Sequence, residues 1–367
     1  MKIAILTNIP SPYRADFFFY LQGNYSEHSF HIIYSAAGLS DRDWSVDKDK
    51  LINSYFLNTK TVTIKKKMDA KHVHFTTNTG KLLTSISPQL LICSEYNPTI
   101  LQAVSWANRH RIPYISWTDG TLYTERNISI FQKLSRRYII KNANAFLASS
   151  TRSKETQIAY GADPDSVFIS LLTVDIQKYL YQRGTYHAKN LLYVGSLSER
   201  KGVDLLFYAL PYVKGNYHLT LAGSGDKKEA LIKLAENLNL TSHITFSGFK
   251  EGNALNELYR SHDIFILPTR EDCFGLVILE AMCASMPVIC SQYADGAFDL
   301  IEDGQTGLII DPFNPESFAR AVDSLLNHPA IVKSMSLLAY EKALEFSFDK
   351  VSKGVLEAIS YISSRQL

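Results

Sequence analysis

The chain has little cysteine and no cysteine pattern. Its four cysteines, Cys93, Cys273, Cys283 and Cys290, form no CxxC pair and have no histidine partner at metal-ligand spacing. That argues against a disulfide scaffold and a cysteine-based zinc module, and it reads as reduced, intracellular thiols. Long hydrophobic runs are missing too. Nothing approaches the run of about 18 apolar residues that a membrane span needs. The opening Met1-Lys-Ile-Ala-Ile-Leu-Thr is too short for the apolar region of a secretion signal, and Asn8, Pro10 and Pro12 follow at once. The expectation is a cytoplasmic protein, or one working at the inner face of the cell membrane. Net charge is nearly absent at +2, so no bulk affinity for nucleic acid is implied. There is no internal repeat and no low-complexity tract.

What is present is a chain of 367 residues, long enough for two domains that each bury a core. The charge is unevenly spread. Residues 1–175 hold 20 Lys+Arg against 14 Asp+Glu, and the remainder holds 18 against 22. Much of the excess sits in Lys65, Lys66, Lys67, Lys71, Arg136, Arg137 and Lys141. A solvated face is the ordinary meaning of such a cluster; a patch facing anionic lipid headgroups is the alternative.

Apolar runs that read as strands alternate with helical patterns along the whole chain. Residues 3–7, 29–34, 90–93, 114–117 and 145–148 read as strands of one parallel sheet, with helices such as 98–110 and 128–142 between them. Residues 191–194, 219–222, 244–246, 264–267, 288–290 and 307–309 read as a second set, joined by helices such as 204–213, 227–238 and 253–260. Alternation of this kind means α/β, doubly wound. Two sets imply two Rossmann-like domains, 1–175 and 176–348, with the boundary in the polar, Tyr-rich segment 175–189. A last helix covers 349–363.

Two segments carry chemistry. The first is Arg270-Glu-Asp-Cys-Phe-Gly-Leu-Val-Ile-Leu-Glu280. A strand, a glycine turn and a helix N-terminus make a phosphate site, because the turn lets backbone approach and the free amides favour an anion. Glu280 lies one or two turns into that helix, within reach of a sugar hydroxyl on the same ligand. The second is Leu191-Leu-Tyr-Val-Gly-Ser-Leu-Ser-Glu-Arg-Lys-Gly202, a buried strand running into a polar loop with Arg200 and Lys201. Neither segment contains a carboxylate cluster for a metal, so none is expected.

Asp272-x7-Glu280 around Phe274-Gly275 resembles the Glu-x7-Glu signature of retaining GT-B glycosyltransferases, glycosyltransferase family 4 (group 1) in particular. The chain departs from it by having Asp at the first position; Glu271 is one residue too early. The resemblance implies two facing Rossmann-like domains with a C-terminal helix crossing back onto the first, and domain closure that limits hydrolysis. It implies that Glu280 binds the donor ribose, and that Asp272 with the backbone of Cys273, Phe274, Gly275 and Leu276 holds the donor sugar and its phosphates. Gly195, Ser196 and Lys201 resemble the family's Gly-Arg-Leu…Lys-Gly segment. Lys201 matches the lysine that clamps the diphosphate. Ser196 replaces the arginine, and Arg200 is the candidate substitute. Phe249 and Lys250 fall where the family lines its nucleobase pocket. The similarity covers nearly all of 190–345 and is weaker over 1–175.

The N-terminal domain is expected to hold the acceptor. Asn8-Ile-Pro-Ser-Pro-Tyr-Arg14 reads as a proline-fixed loop after the first strand. Pro12, Tyr13 and Arg14 then meet a sugar or a phosphate, or serve structure alone. Thr118 and Asp119 lie where many relatives carry a catalytic histidine, which this chain lacks; Asp119 is the candidate for the sugar face or the acceptor hydroxyl. Glu95, with Tyr96, is the weaker candidate. The implied function is transfer of a sugar from a nucleotide diphosphate sugar to a glycan or lipid-linked acceptor in bacterial surface polysaccharide synthesis, without cofactor or metal. An epimerase or phosphorylase of the same fold, or a non-catalytic nucleotide-sugar binder, remains open.

Overall fold

The computed structural model describes residues 1–38, 45–65, 68 and 70–365. Lys66 and Lys67 of the basic cluster lie outside the described residues, as do the side chains of Lys65 and Lys71. The chain divides into two compact units. The first comprises Met1–Lys66, Ala70–Asp175 and Phe348–Leu367, the second Ile176–Ser347.

In the first unit the elements run β1 (Lys2–Thr7), α1 (Pro12–Asn24), β2 (Ser29–Tyr34), β3 (Ser54–Phe56), β4 (Thr59–Lys65), β5 (Ala70–Thr76), α2 (Thr79–Ile86), β6 (Leu90–Ser94), α3 (Pro98–His110), β7 (Tyr114–Thr118), α4 (Ile130–Asn142), β8 (Ala145–Ala148), α5 (Thr151–Ala159) and β9 (Val167–Ile169). The parallel sheet has the order β3-β2-β1-β6-β7-β8-β9. Its inner strands are buried on both faces, which is why they read as near-continuous apolar runs. Ile3, Ile5 and Leu90 point to one core layer, Ala4, Leu6 and Leu91 to the other.

Three things differ from the sequence reading of this unit. Strands β3 and β9 were not expected; at three residues each, they are too short to show a pattern. Strands β4 and β5 form a separate antiparallel hairpin, not part of the parallel sheet. The stretch 8–14 is not a loop throughout, because α1 begins at Pro12. Ser11 sits before it at φ −78 and ψ 147, and proline at the first helical position loses no hydrogen bond. Pro12, Tyr13 and Arg14 are therefore the first turn of a helix.

The second unit runs β10 (Asn190–Val194), α6 (Val203–Ala209), β11 (His218–Ala222), α7 (Lys228–Asn237), β12 (Ile244–Phe246), α8 (Gly252–Ser261), β13 (Ile264–Leu267), α9 (Leu276–Cys283), β14 (Val288–Ser291), α10 (Ala297–Leu300), β15 (Gly307–Ile310), α11 (Pro315–Leu325) and α12 (Pro329–Ala343). Its sheet, also parallel, has the order β12-β11-β10-β13-β14-β15. α6 is shorter than the expected 204–213, because Pro211 breaks it into a tighter 3-10 turn, Leu210–Tyr212.

The last helix, α13 (Phe348–Arg365), belongs to the first unit. Val351, Val355, Ile359 and Ile362 enter the core layer of Ile3 and Phe18. Each such side chain, fully buried, contributes roughly 1.5–3 kcal/mol. Gly354 lets α13 meet the edge of the sheet: a Cβ there would lie 1.9 Å from the Ile169 carbonyl oxygen. Ser170 Oγ donates to the Val351 carbonyl at 3.1 Å and ties the same contact. The fold is thus α/β with two Rossmann-like parallel sheets.

Candidate functional site

Each parallel sheet reverses its strand order once, and open α/β sheets bind ligands at such a reversal, beyond the carboxyl ends of the strands. In the second unit the reversal lies between β10 and β13, which pair through Leu191 with Ile264 and Leu192 with Phe265. That pairing brings the loop at 195–201 to the loop at 268–275. Lys201 Nζ donates to Asp272 Oδ2 at 2.5 Å, and Arg200 Nη1 lies 3.8 Å from the same oxygen. Burial pushes the Asp272 carboxyl up. Lys201, Arg200 and the Phe274 N–H outweigh it and hold the group below its usual range.

A brace absent from the sequence reading fixes the two loops. Arg270 donates to both Asp204 oxygens, at 2.7 and 2.6 Å, and its N–H donates to the Arg200 carbonyl at 2.8 Å. Asp272 is pinned from the other side, because Asp295 N–H donates to its carbonyl at 3.0 Å. No motif marks Arg270; only the pairing of β10 with β13 gives it a partner.

Gly275 precedes α9 at φ +82, a left-handed conformation that a side chain would strain. The Ile278 N–H donates back to the Gly275 carbonyl at 2.8 Å, the amides before it have no acceptor within the helix, and the dipole adds partial positive charge. Cys273, Phe274, Gly275 and Leu276 therefore surround a helix N-terminus beside Lys201 and Asp272. Glu280 follows on α9 and is largely buried; Tyr259 Oη donates to its Oε2 at 2.7 Å. Burial raises the Glu280 carboxyl, and the hydroxyls of Tyr259 and Tyr179 offset part of the rise. Ser196 is exposed and uncharged, its Oγ 3.3 Å from Ser198 Oγ, so the cations of this loop are Arg200 and Lys201. Gly195 donates its N–H to Ala222. Phe249 and Lys250 follow β12 at the sheet edge, two strand positions from β10. Phe249 is exposed there.

In the first unit the reversal lies between β1 and β6. Arg14, on the first turn of α1, is 4% exposed. Its Nη2 donates to both Asp119 oxygens, at 2.7 and 2.9 Å, and its guanidinium lies 4.3 Å from the Trp117 ring centroid. Ser149 Oγ also donates to Asp119. Glu95 follows β6 at φ +74, and its Oε1 accepts the Asp119 N–H at 3.3 Å. Thr118 is fully buried; its Oγ1 accepts the Gly120 N–H, so it shapes the turn instead of facing solvent. Burial raises the Tyr13 hydroxyl despite the Arg14 charge. Arg136, expected on an exposed basic patch, is buried and donates to Glu125, because it lies on the inward side of α4.

Among the described residues, no three His, Cys, Asp or Glu side chains are grouped to hold a metal ion. Nor is any helix there long and apolar enough to cross a membrane. Cys93, Cys283 and Cys290 are buried free thiols, and burial pushes Cys93 up to about 12.

Residues 185–342 match the family model for glycosyl transferases group 1. The match spans most of the C-terminal unit, which is therefore similar to a group 1 glycosyl transferase domain. The match covers β10 through α12, including every residue of the Lys201–Asp272–Glu280 arrangement. An uncharacterized glycosyltransferase of Methanocaldococcus jannaschii is 35% identical over 171 residues, which are 45% of this chain and 43% of that protein. A D-inositol 3-phosphate glycosyltransferase of Rhodococcus jostii is 26% identical over 286 residues, 70% of this chain and 63% of that one. The matched regions thus span less than two thirds of these relatives. For the whole chain, the HepE structure from Anabaena, solved with UDP, superposes with a TM-score of 0.80 at 17% identity, covering 98% of this chain and 100% of that one. The C-terminal unit is therefore one of two Rossmann-like halves of a GT-B fold.

Proposed function

We propose that this chain is a retaining glycosyltransferase, which moves a sugar from a nucleotide diphosphate sugar to a hydroxyl of a glycan or lipid-linked acceptor. The observation that carries this is the Lys201–Asp272 pair at the N-terminus of α9, with Glu280 on the same helix. The C-terminal unit holds the donor and the N-terminal unit the acceptor. Lys201, Arg200 and the amides of Gly275 and Leu276 meet the diphosphate. Asp272 positions hydroxyls of the donor sugar. Glu280, fixed by Tyr259, takes the ribose. As the bond from the sugar carbon to the phosphate oxygen breaks, the acceptor oxygen bonds to the same face. The acceptor's proton passes to the departing phosphate oxygen, so no separate protein base is needed. Lysine and helix amides stabilise the leaving charge as it forms. No metal takes part in this scheme, and the retaining course rests on the Asp272-x7-Glu280 motif.

A thermal-shift screen of UDP-, GDP- and ADP-sugars tests the donor, since a ligand bound by the folded state raises its melting temperature. The fold neighbour solved with UDP makes UDP-sugars the first to try. A shift with one nucleotide and release of that nucleoside diphosphate on turnover support the reading. Binding with no turnover leaves a nucleotide-sugar binder; an altered sugar still attached to the nucleotide means an epimerase.

An anionic membrane surface is the proposed partner for a lipid-linked acceptor, in the building of a surface polysaccharide. Helix α4 supports it. Ile130, Phe131, Leu134 and Tyr138 are exposed along one side, with exposed Lys133, Arg137 and Lys141 beside them. Apolar residues with a basic flank suit an interface carrying negative charge. Sedimentation with phosphatidylglycerol vesicles is expected to show binding that weakens with salt. A Phe131→Ser, Leu134→Ser variant that sediments like wild type sinks this part.

A further inference from the structure

The geometry points to Arg14, Glu95 and Asp119 as a seat for one uncharged sugar hydroxyl, with Arg14 Nη1–H and the Glu95 carboxyl group presented to it. This rests on the reading that the N-terminal unit binds the acceptor, and it names the chemistry bound there.

Four observations support it. First, the three residues meet at the one reversal of strand order in this sheet, where Glu95 follows β6, Asp119 follows β7 and Arg14 lies just beyond β1. Second, Arg14 is almost wholly buried, yet its Nη1 has no hydrogen-bond partner. A buried guanidinium donor left unmade is expensive, and a ligand oxygen would satisfy it. Third, Glu95 occupies a left-handed backbone conformation that costs a non-glycine residue roughly 1 kcal/mol or more, and such strain concentrates at ligand sites. Its own N–H donates to the Trp117 carbonyl at 2.8 Å, so the turn is locked to β7. Fourth, the other groups are already committed. Asp119 holds Arg14 through both oxygens and accepts from Ser149.

The charge balance selects the ligand. Burial, then the Asp119 carboxylate, raise Glu95 to about 8, against the opposing pull of Arg14 and the Asp119 N–H. Glu125 adds a smaller push in the same direction. Glu125 is itself held by Arg136 and the Tyr160 hydroxyl. The other titratable neighbours, buried Tyr96 and half-buried Tyr13, are tyrosines whose hydroxyls are raised and stay neutral. At neutral pH the trio is therefore one cation, one anion and one neutral acid. It carries no net charge for an anionic ligand, but it offers two donors to an oxygen that is itself neutral. A sugar hydroxyl accepts from Arg14 Nη1 and hydrogen-bonds the Glu95 acid. Ionised Glu95 can no longer donate, so the seat weakens as pH rises through about 8.

Two measurements test this. Infrared difference spectra of wild type against Glu95→Gln are expected to show one protonated carboxyl band that disappears through about pH 8. Saturation-transfer NMR with methyl glycosides of neutral hexoses and of hexuronic acids reads the seat itself. Neutral glycosides should bind wild type below that pH and roughly five- to tenfold more weakly above it, the effect of one hydrogen bond. Glu95→Gln keeps a neutral donor, so it should bind at both pH values, and Arg14→Lys should bind at neither. A carboxyl band absent throughout, a preference for the uronic acids, or identical pH dependence in wild type and Glu95→Gln overturns the proposal. Donor binding on the same preparation separates the two readings. Its absence sinks the glycosyltransferase reading; intact donor binding without glycoside binding at any pH sinks the hydroxyl seat alone.

Discussion

The two units solve the same problem with different chemistry. Each places a cation against an aspartate where its sheet reverses, Lys201 with Asp272 in one and Arg14 with Asp119 in the other. The lysine meets its aspartate at Oδ2. The arginine pair engages both oxygens and is backed by the Trp117 ring. Lysine is a mobile point charge, whereas a guanidinium fork is rigid and directional. In the proposed function a donor phosphate parts Lys201 from Asp272 and takes the cation for itself. Arg14 stays with Asp119 and offers only its remaining Nη1. One pair suits a ligand whose charge changes during reaction; the other suits a neutral group that must be held still.

The sharpest break of this comparison is Arg14→Ala. It leaves the Asp119 carboxylate uncompensated, and losing one partner of a buried pair costs about 3–5 kcal/mol. Urea unfolding is expected to show that loss, whereas Lys201→Met shifts the midpoint far less; equal losses would erase the distinction. Lys201→Met comes second in size and falls on catalysis. With the donor identified by the nucleotide screen, kcat should drop roughly 10²–10³-fold, as for removal of one group that stabilises leaving charge. Third, Glu280→Gln should weaken donor binding by about 1.5–3 kcal/mol in calorimetry, the worth of a hydrogen bond to a charged group. An unchanged affinity in a folded variant would remove the ribose role.

A smaller effect separates the acids. Unfolded glutamate ionises near about 4.3, while folded Glu95 holds its proton until about 8. A raised folded-state value stabilises fully below the unfolded one and is lost as pH rises through the folded one. Wild type should therefore lose stability relative to Glu95→Gln between about pH 4.3 and about 8, then level off. Asp272, held low, runs the other way. Its contribution is present above the unfolded aspartate value of about 3.9 and fades in stronger acid. The smallest effect expected is none: excess EDTA should leave transfer unchanged, and loss of activity restored by Mg²⁺ would replace the Lys201–Arg200 account with a metal.

The strands of both sheets were legible because parallel strands buried on two faces are written as plain apolar runs, as in residues 145–148 and 264–267. Three-residue strands such as Val167–Ile169 carry too little pattern to see. The helix at Pro12 was hidden because two prolines within four residues of an asparagine read as a loop, although one of them sits where a helix tolerates it. The residues proposed to hold the donor were legible as a motif, since a glycine turn, a helix start and two acids lie within a dozen residues of one another. Arg136 shows the limit of reading charge from composition: it sits among exposed Lys133, Arg137 and Lys141, yet points inward to Glu125.

By itself the sequence determined the α/β alternation, the two sheets, and the local chemistry of the loops at 195–201 and 270–280. Those features depend on neighbours along the chain, and short-range spacing encodes them. Tertiary structure alone decided which groups face one another. Lys201 and Asp272 lie 71 residues apart and meet because β10 pairs with β13. Arg14 and Asp119 lie 105 residues apart and meet because β1 and β7 flank β6. Nothing in the local sequence marks either partner for the other, nor could it show that Glu95 would sit half-buried beside a carboxylate already held by arginine. Strand order makes those neighbours, and the burial that comes with it sets their charge.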